Sequence, residues 1–233
     1  MRASIVIPCY NQQEYVSQAI DSALAQTHGD TEVIVVNDGS TDESLRRIEA
    51  YGTKIVVANQ GNAGLAAARN AGFSTATGEF FLPLDADDYI APSYLERTLP
   101  LMSDPAVGVV ATDTQYFGVG DTLVSAHNVT LDTEKRSNEI PVCSLIRRTA
   151  FEQVGGYKNI FVESGGKRVY GFEDWELWIG LLEREWKAAI VNEPLFYYRT
   201  KTVSMLASSN SVRKELTKKV QSLHPGLCGG IHG

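Results

Sequence analysis

Residues 79–92 read EFFLPLDADDYIAP, and the abrupt change inside this stretch decides the fold. A short apolar run that meets carboxylates at its end has the pattern of a buried strand whose last residues emerge into a site. Asp85, Asp87 and Asp88 crowd three negative charges there, which repel one another unless a cation joins them. Asp oxygens are hard ligands suited to Mg²⁺ or Mn²⁺, with water and substrate phosphates completing the shell. The same letters also suit a solvated turn in which Asp88 or Ser93 caps a helix opened by Pro92, and the stretch alone leaves both readings open.

Upstream, strand-like and helix-like segments alternate. Residues 3–8 (ASIVIP), 32–38 (EVIVVND) and 54–58 (KIVVA) are β-branched runs of the kind buried in a parallel sheet. Asn11 with Glu14, and Ser40 with Glu43, have capping-box spacing before helices, and Val16, Ala19, Ile20, Ala23 and Leu24 share one helical face. Residues 65–76 form a third helix. This rhythm predicts an α/β fold, a doubly wound and mostly parallel sheet with ligands at the carboxyl ends of its strands. Residues 8–11, 37–40 and 85–88 then meet at one rim.

Asp38, in VNDGS, has two readings: a carboxylate free to accept from a ligand, or a decoration of a helix N-terminus. The stretch NQGNAGLAAARNAG carries GxxG spacing rather than the GxGxxG dinucleotide fingerprint. Arg69 within it suits a diphosphate or a base, or a plain surface position.

Composition sets the frame. The 233 residues carry a net charge of −7, which argues against a nucleic-acid surface. No run approaches the roughly 20 apolar residues of a membrane span and no signal-peptide pattern is present, so a cytoplasmic protein is expected. Cys9, Cys143 and Cys228 lack metal-ligand spacing and are expected to be reduced thiols.

Six pieces in order, IVIPCYN (5–11), VIVVNDGSTD (33–42), NAGLAAARNAG (62–72), LPLDADD (82–88), GGY (155–157) and GFEDWELW (171–178), resemble the family 2 glycosyltransferases of the GT-A fold. The resemblance covers roughly residues 2–199. It implies a nucleotide-sugar half at about 1–112 and an acceptor half at about 113–207, followed by a C-terminal helix and mobile tail at 208–233. It implies that Pro8, Tyr10 and Asp38 hold the base and ribose with Arg69 beside them, that Asp85 lies near the ribose, and that Asp87 binds the metal bridging the donor diphosphate. Asp88 matches a frequent third acid, and Asn11 belongs to the first loop.

In residues 171–185, Trp175, Trp178, Ile179 and Leu182 fall on one helical face that packs on the sheet. Glu173 and Asp174 stand at that helix start, where the dipole helps keep carboxylates ionised. The resemblance makes Asp174 the catalytic base with Glu173 beside it, in an inverting, metal-dependent transfer, most often from a UDP-sugar. It points to polysaccharide, glycolipid or glycoprotein glycan assembly. The QxxRW signature of processive members is absent after the ED pair, so one sugar per encounter is expected. In FYYRTKTVSM, Arg199 and Ser204 resemble a segment that closes over the donor diphosphate. Residues 119–139 are polar and irregular and lie where acceptor-side variation is expected. Val212, Leu216, Val220 and Leu223 form a stripe flanked by Arg213, Lys214, Lys218 and Lys219, suited either to an ordinary terminal helix or to a membrane surface near a lipid-linked acceptor. A sugar nucleotidyltransferase and a noncatalytic nucleotide-sugar binding module are the alternatives. The first calls for a Gly- and Arg/Lys-rich loop where PCYNQQEY stands, and the second has no use for Asp174.

Overall fold

A computed structural model of the protein describes residues 1–127, 129–201 and 209–224. Strand β1 (Ala3–Cys9) is buried along its whole length because it lies between β2 (Thr31–Asp38) and β4 (Phe80–Pro83), parallel to both. Beyond β2 lies β3 (Val56–Gln60), so the chain builds outward on one side of β1 and then crosses to the other. Strand order reverses at the β1–β4 crevice, where open α/β sheets hold their ligands.

The second half extends the sheet. β6 (Val107–Gly118) and β11 (Lys187–Thr200) run parallel to each other, with β8 (Leu145–Arg147) antiparallel between β4 and β6. The short β5 (Tyr89–Ile90) edges β11, and β7 (Thr122–Val124) pairs with β6. A separate hairpin joins β9 (Phe161–Ser164) to β10 (Lys167–Tyr170).

Period-two alternation gives each face its own helices. Ile5 and Ile7 pack with Val16, Ala19 and Ile20 of α1 (Val16–Leu24), with Ile48 of α2 (Ser44–Glu49), and with Tyr94 and Leu95 of α4 (Tyr94–Thr98). Val6, Ile34 and Val36 pack on the other face with α3 (Leu65–Thr75), α6 (Arg148–Val154) and α7 (Glu173–Glu183). At the rim away from the carboxyl ends, Glu32 clasps three strands. Burial alone would raise its carboxyl, but hydrogen bonds from Ser4, from the backbone and side chain of Thr77 and from Arg2 outweigh it and hold the group at about 2.

Several local expectations change. α1 begins at Val16 rather than at an Asn11 cap, and neither it nor α2 has a side-chain cap. Residues 119–139 are not wholly irregular: besides β7 they form α5 (Leu131–Arg136), closed by a Thr130–Thr133 capping box. The apolar stripe of α7 divides, because the helix is buried on two sides. Trp178, Leu177 and Leu181 face the sheet, whereas Trp175 and Ile179 pack with Ile160 and with Leu216 and Val220 of α8 (Arg213–Leu223). Val212, Leu216 and Val220 of that stripe therefore face inward onto α7, while Leu223 is exposed. Leu182 is only partly buried. The proposed boundary at 207/208, Ser204, Cys228 and the Gly-rich end lie outside the described residues.

Helix α3 approaches β1 closely because Gly72 has no side chain: a Cβ there would lie 2.2 Å from Val6 Cγ1 and 3.1 Å from Val36 Cγ2. Both valines are β-branched and packed, so neither yields freely. Gly72→Ala is expected to lower unfolding free energy by about 1–3 kcal/mol, seen as a lower urea midpoint with an unchanged slope.

Candidate active site

The carboxyl ends of β1, β2, β4, β6 and β11 open on one cleft of ≈ 940 Å³. Pro8, Tyr10, Asp38, Arg69, Asp85, Asp87, Glu173, Asp174 and Arg199 all line it, so the fold brings both sequence halves to one place. Asn11 and Asp88 are not among its lining residues: Asn11 is exposed on the first loop and Asp88 is buried behind the wall.

The first two loops are laced together. Asn11, at φ 52°, donates its N–H to Ser40 Oγ, and its side-chain oxygen accepts from Thr41 N at 2.8 Å. Gln12 N–H donates to Ser44 Oγ, and Gln13 N–H to Asp42 Oδ2. Asn11 is thus a tie between loops rather than a helix cap. Gly39 sits at φ 73°, and a Cβ there would meet Asn62 N at 2.7 Å, so the second loop can turn only with glycine. Tyr10, 46% exposed, offers an aromatic face at the mouth.

Asp38 is not a free carboxylate. Its Oδ1 accepts from Gln60 Nε2 at 2.7 Å and Ala63 N at 2.8 Å, and its Oδ2 accepts from Gly64 N at 3.0 Å. It therefore fixes the start of α3, because β2 ends beside that helix. The helix-decoration reading describes these bonds, though on α3 and not on the helix that follows β2.

Arg69 also differs from a group held ready for ligand. It is 1% exposed beneath the cleft floor, donating from Nη1 to Glu173 Oε1 at 2.7 Å and from Nη2 to Asp85 Oδ1 at 2.6 Å. Burial would strip its charge, but Asp85 and Glu173 outweigh that and keep it cationic.

The acidic loop is not a solvated turn. Asp88 is 1% exposed, and its Oδ1 accepts from Arg199 N at 2.7 Å, while Arg199 Nε donates to Asp87 O at 2.8 Å. Burial, then Asp87 and Asp85, pushes the Asp88 carboxyl well above its usual range. Ser93 precedes α4 without making a side-chain cap. Asp87 is partly exposed, and Lys201 Nζ lies 2.6 Å from its Oδ2.

Across the cleft, Phe172 takes the left-handed conformation, φ 67° and ψ 19°, directly before α7. That turn aims Glu173 inward to Arg69 and leaves Asp174 partly buried on the cleft surface. The helix start does not keep Asp174 at ordinary acidity. Burial and neighbouring Glu173 raise it to about 6, against the opposing pull of Arg69 and hydrogen bonds from Asn138 and the Trp175 N–H. Asn138 Nδ2 donates to Asp174 Oδ2 at 3.0 Å. Behind it, burial raises the Glu134 carboxyl to about 9, and Trp175 Nε1 donates to Glu134 O at 2.6 Å.

Asn138, Glu134, Gln12 and Lys201 are functional candidates that sequence reasoning missed. The first two sit in the stretch read as irregular. Lys201, two residues past Arg199, carried a signal only in its charge beside a matched segment.

Among the described residues, no three His, Cys, Asp or Glu side chains converge to hold a metal ion by themselves. Nor is any described helix long and apolar enough to cross a membrane.

The chain is similar to an uncharacterized glycosyltransferase of Nostoc, 44% identical over 115 residues that cover 47% of this chain and 36% of the relative. It is 37% identical over 126 residues to the chondroitin synthase of Pasteurella multocida, covering 52% of this chain and 13% of that protein. It thus spans 36% or less of the curated relatives' length. Among solved structures, S. aureus TarS 1–349 with UDP-GlcNAc superposes with TM-score 0.71 at 20% identity, over 89% of this chain and 61% of that one. The mannosyltransferase PcManGT of Pyrobaculum calidifontis, with GDP-Man and Mn²⁺, gives 0.69 at 18%, over 100% and 66%. These likenesses establish the GT-A type of α/β fold. The model of the Glycosyl transferase family 2 matches residues 4–178, three quarters of the sequence, and with the acidic loop and the helix-start carboxylates opening on one cleft the chain belongs to that family.

Proposed function

We propose that the chain transfers a sugar from a nucleotide-sugar donor to an acceptor hydroxyl by a single displacement with inversion. The observation that carries this reading is Asp174: a partly buried carboxylate on the cleft surface, oriented by Asn138 and shifted toward neutrality, opposite the acidic loop. An acceptor hydroxyl is hardly ionised near neutral pH and must lose its proton as it attacks. A carboxylate within hydrogen-bond reach can take it, for a gain of about 10² to 10⁴ in rate. Glu173 cannot share that task easily, since its Oε1 is engaged by Arg69. Among the described residues the other acids that line the cleft are each engaged, Glu173 and Asp85 by Arg69, Asp38 by Gln60, Asp87 by Lys201 and Glu139 by Ser137, so a single displacement that inverts the anomeric centre is the simpler course.

The donor side fits a nucleoside diphosphate. Tyr10 and Pro8 offer a wall for a base, and Asp38 holds the start of α3 in place beside them. UDP is the nucleotide adopted, in keeping with the UDP-GlcNAc complex of TarS. A divalent cation, Mn²⁺ or Mg²⁺, suits Asp87, a hard and partly exposed oxygen donor. With no three-ligand cluster among the described residues, its other positions fall to water and donor phosphates. Bound there, such an ion offsets the charge of the departing diphosphate. Arg199 holds the backbone of Asp87, and Arg69 holds Asp85, so the loop keeps its shape as the donor changes charge. The acceptor is a glycan or a lipid-linked saccharide, and each encounter adds one sugar.

Two outcomes test this. Asp174→Asn keeps an acceptor for Asn138 but cannot take a proton, so single-turnover transfer should fall by about 10² to 10⁴ while donor affinity by calorimetry holds. In the wild type, deprotonated Asp174 is the active form. Its carboxyl is raised to about 6, so the rate should rise with pH through about 6 and level above it. A transfer rate in the Asn variant near wild type would move the base elsewhere.

Asp87→Ala should abolish the Mn²⁺-dependent part of thermal stabilisation by UDP while leaving the fold intact, because Asp87 is partly exposed, its loss lowers the repulsion from Asp85 and Asp88, and Lys201 keeps Gln12 and the Tyr15 ring. Unchanged Mn²⁺ dependence would remove Asp87 as a ligand.

A further inference from the structure

The following inference rests on a cation binding at Asp87, as proposed above, and concerns what holds that carboxylate before the donor arrives. The three acids of the loop are balanced in three ways. Asp85 is paired with buried Arg69. Asp88 is itself buried and accepts the Arg199 N–H. Asp87 faces a partly exposed partner: Lys201 Nζ lies 2.6 Å from its Oδ2, with the two side chains 21% and 25% exposed. The ammonium also donates to Gln12 Oε1 at 3.2 Å and sits 4.2 Å above the Tyr15 ring.

The backbone leading to Lys201 is pinned. Thr200 Oγ1 donates to Phe117 O at 2.8 Å and accepts from Gly120 N at 3.0 Å, while Arg199 is fastened to the acidic loop. The part free to move is the side chain, a compact point charge on a four-carbon stem. It lines the same cleft as Asp87 and Gln12.

We infer that Lys201 is a built-in counter-cation of Asp87 which a divalent ion displaces, and that the displaced ammonium then pairs with the donor diphosphate. Two cations that share one partly exposed carboxylate repel each other, and a divalent ion repels the ammonium more strongly than a monovalent one would. A metal ion arriving alone must eject Lys201 with no anion to receive it. Arriving with a nucleoside diphosphate, it leaves Lys201 a new partner. Metal and nucleotide binding are therefore coupled through this side chain, and the coupling is reciprocal.

The test is Mn²⁺ binding, read by calorimetry and by the electron paramagnetic resonance signal of free Mn²⁺, with and without UDP. Lys201→Met keeps an unbranched stem and removes the charge, whereas Lys201→Arg keeps the charge. The methionine variant should bind Mn²⁺ alone about 5- to 10-fold more tightly than wild type, and UDP should enhance that binding by a smaller factor. The arginine variant should stay near wild type. Equal Mn²⁺ affinity of wild type and Lys201→Met without UDP, with UDP-dependent Mn²⁺ binding intact, overturns the role of Lys201 and leaves Asp87 as the ligand. Absence of Mn²⁺ binding in every variant, even with UDP, overturns both assignments.

Discussion

The buried guanidinium of Arg69 is the constraint on which the site depends. It projects from α3 and grips Asp85 after β4 and Glu173 at the start of α7. Two carboxylates from distant parts of the chain are thereby held on one cation. Desolvating such a group is expensive, and removing one partner of a buried ion pair typically costs about 3–5 kcal/mol because the others are left uncompensated. The arrangement persists because Arg69 is enclosed by its partners and lies over the Tyr157 ring at 5.2 Å. What it secures is registry: the acidic loop and the helix that carries Asp174 cannot drift apart.

Around that cation the sheet does the positioning. β1 is covered by helices on both faces, and its parallel neighbours end at the same rim, so the loops after them need only short extensions to converge. The second half reaches the rim differently. β6 and β11 run parallel to β4 only because the antiparallel β8 stands between, and the ends of both lie at the cleft. One end of the sheet thus hosts a side of laced loops and an opposite side built from α5, α7 and α8.

Much of this was legible in the sequence, for a physical reason. Buried parallel strands demand nearly continuous apolar runs, so ASIVIP, EVIVVND and EFFLPL declare themselves, the first two rich in β-branched residues, and polar residues directly after them belong to the rim. The partners of those polar residues were not legible. The letters leave Asp38 open between a ligand carboxylate and a helix decoration, and its bonds from Ala63, Gly64 and Gln60 depend on where α3 starts in space. Asn138 reaches Asp174 across 36 positions, and Lys201 meets Asp87 from the far end of β11. The double burial of α7 was hidden too, because a helix covered on two sides blurs the single stripe that periodicity detects.

The left-handed turn at Phe172 has a consequence for how this protein tolerates change. A bulky residue in that region is strained by about 1–3 kcal/mol, and the position persists only because its surroundings over-determine it, here the edge contact with Trp175 and the stacked Arg213. Selection for thermostability alone would favour glycine or asparagine there. A stiff aromatic exchanges that margin for a fixed direction of departure into the helix. Stabilised variants of this scaffold should therefore be sought away from residue 172, where rigidity and ease of folding pull in opposite directions.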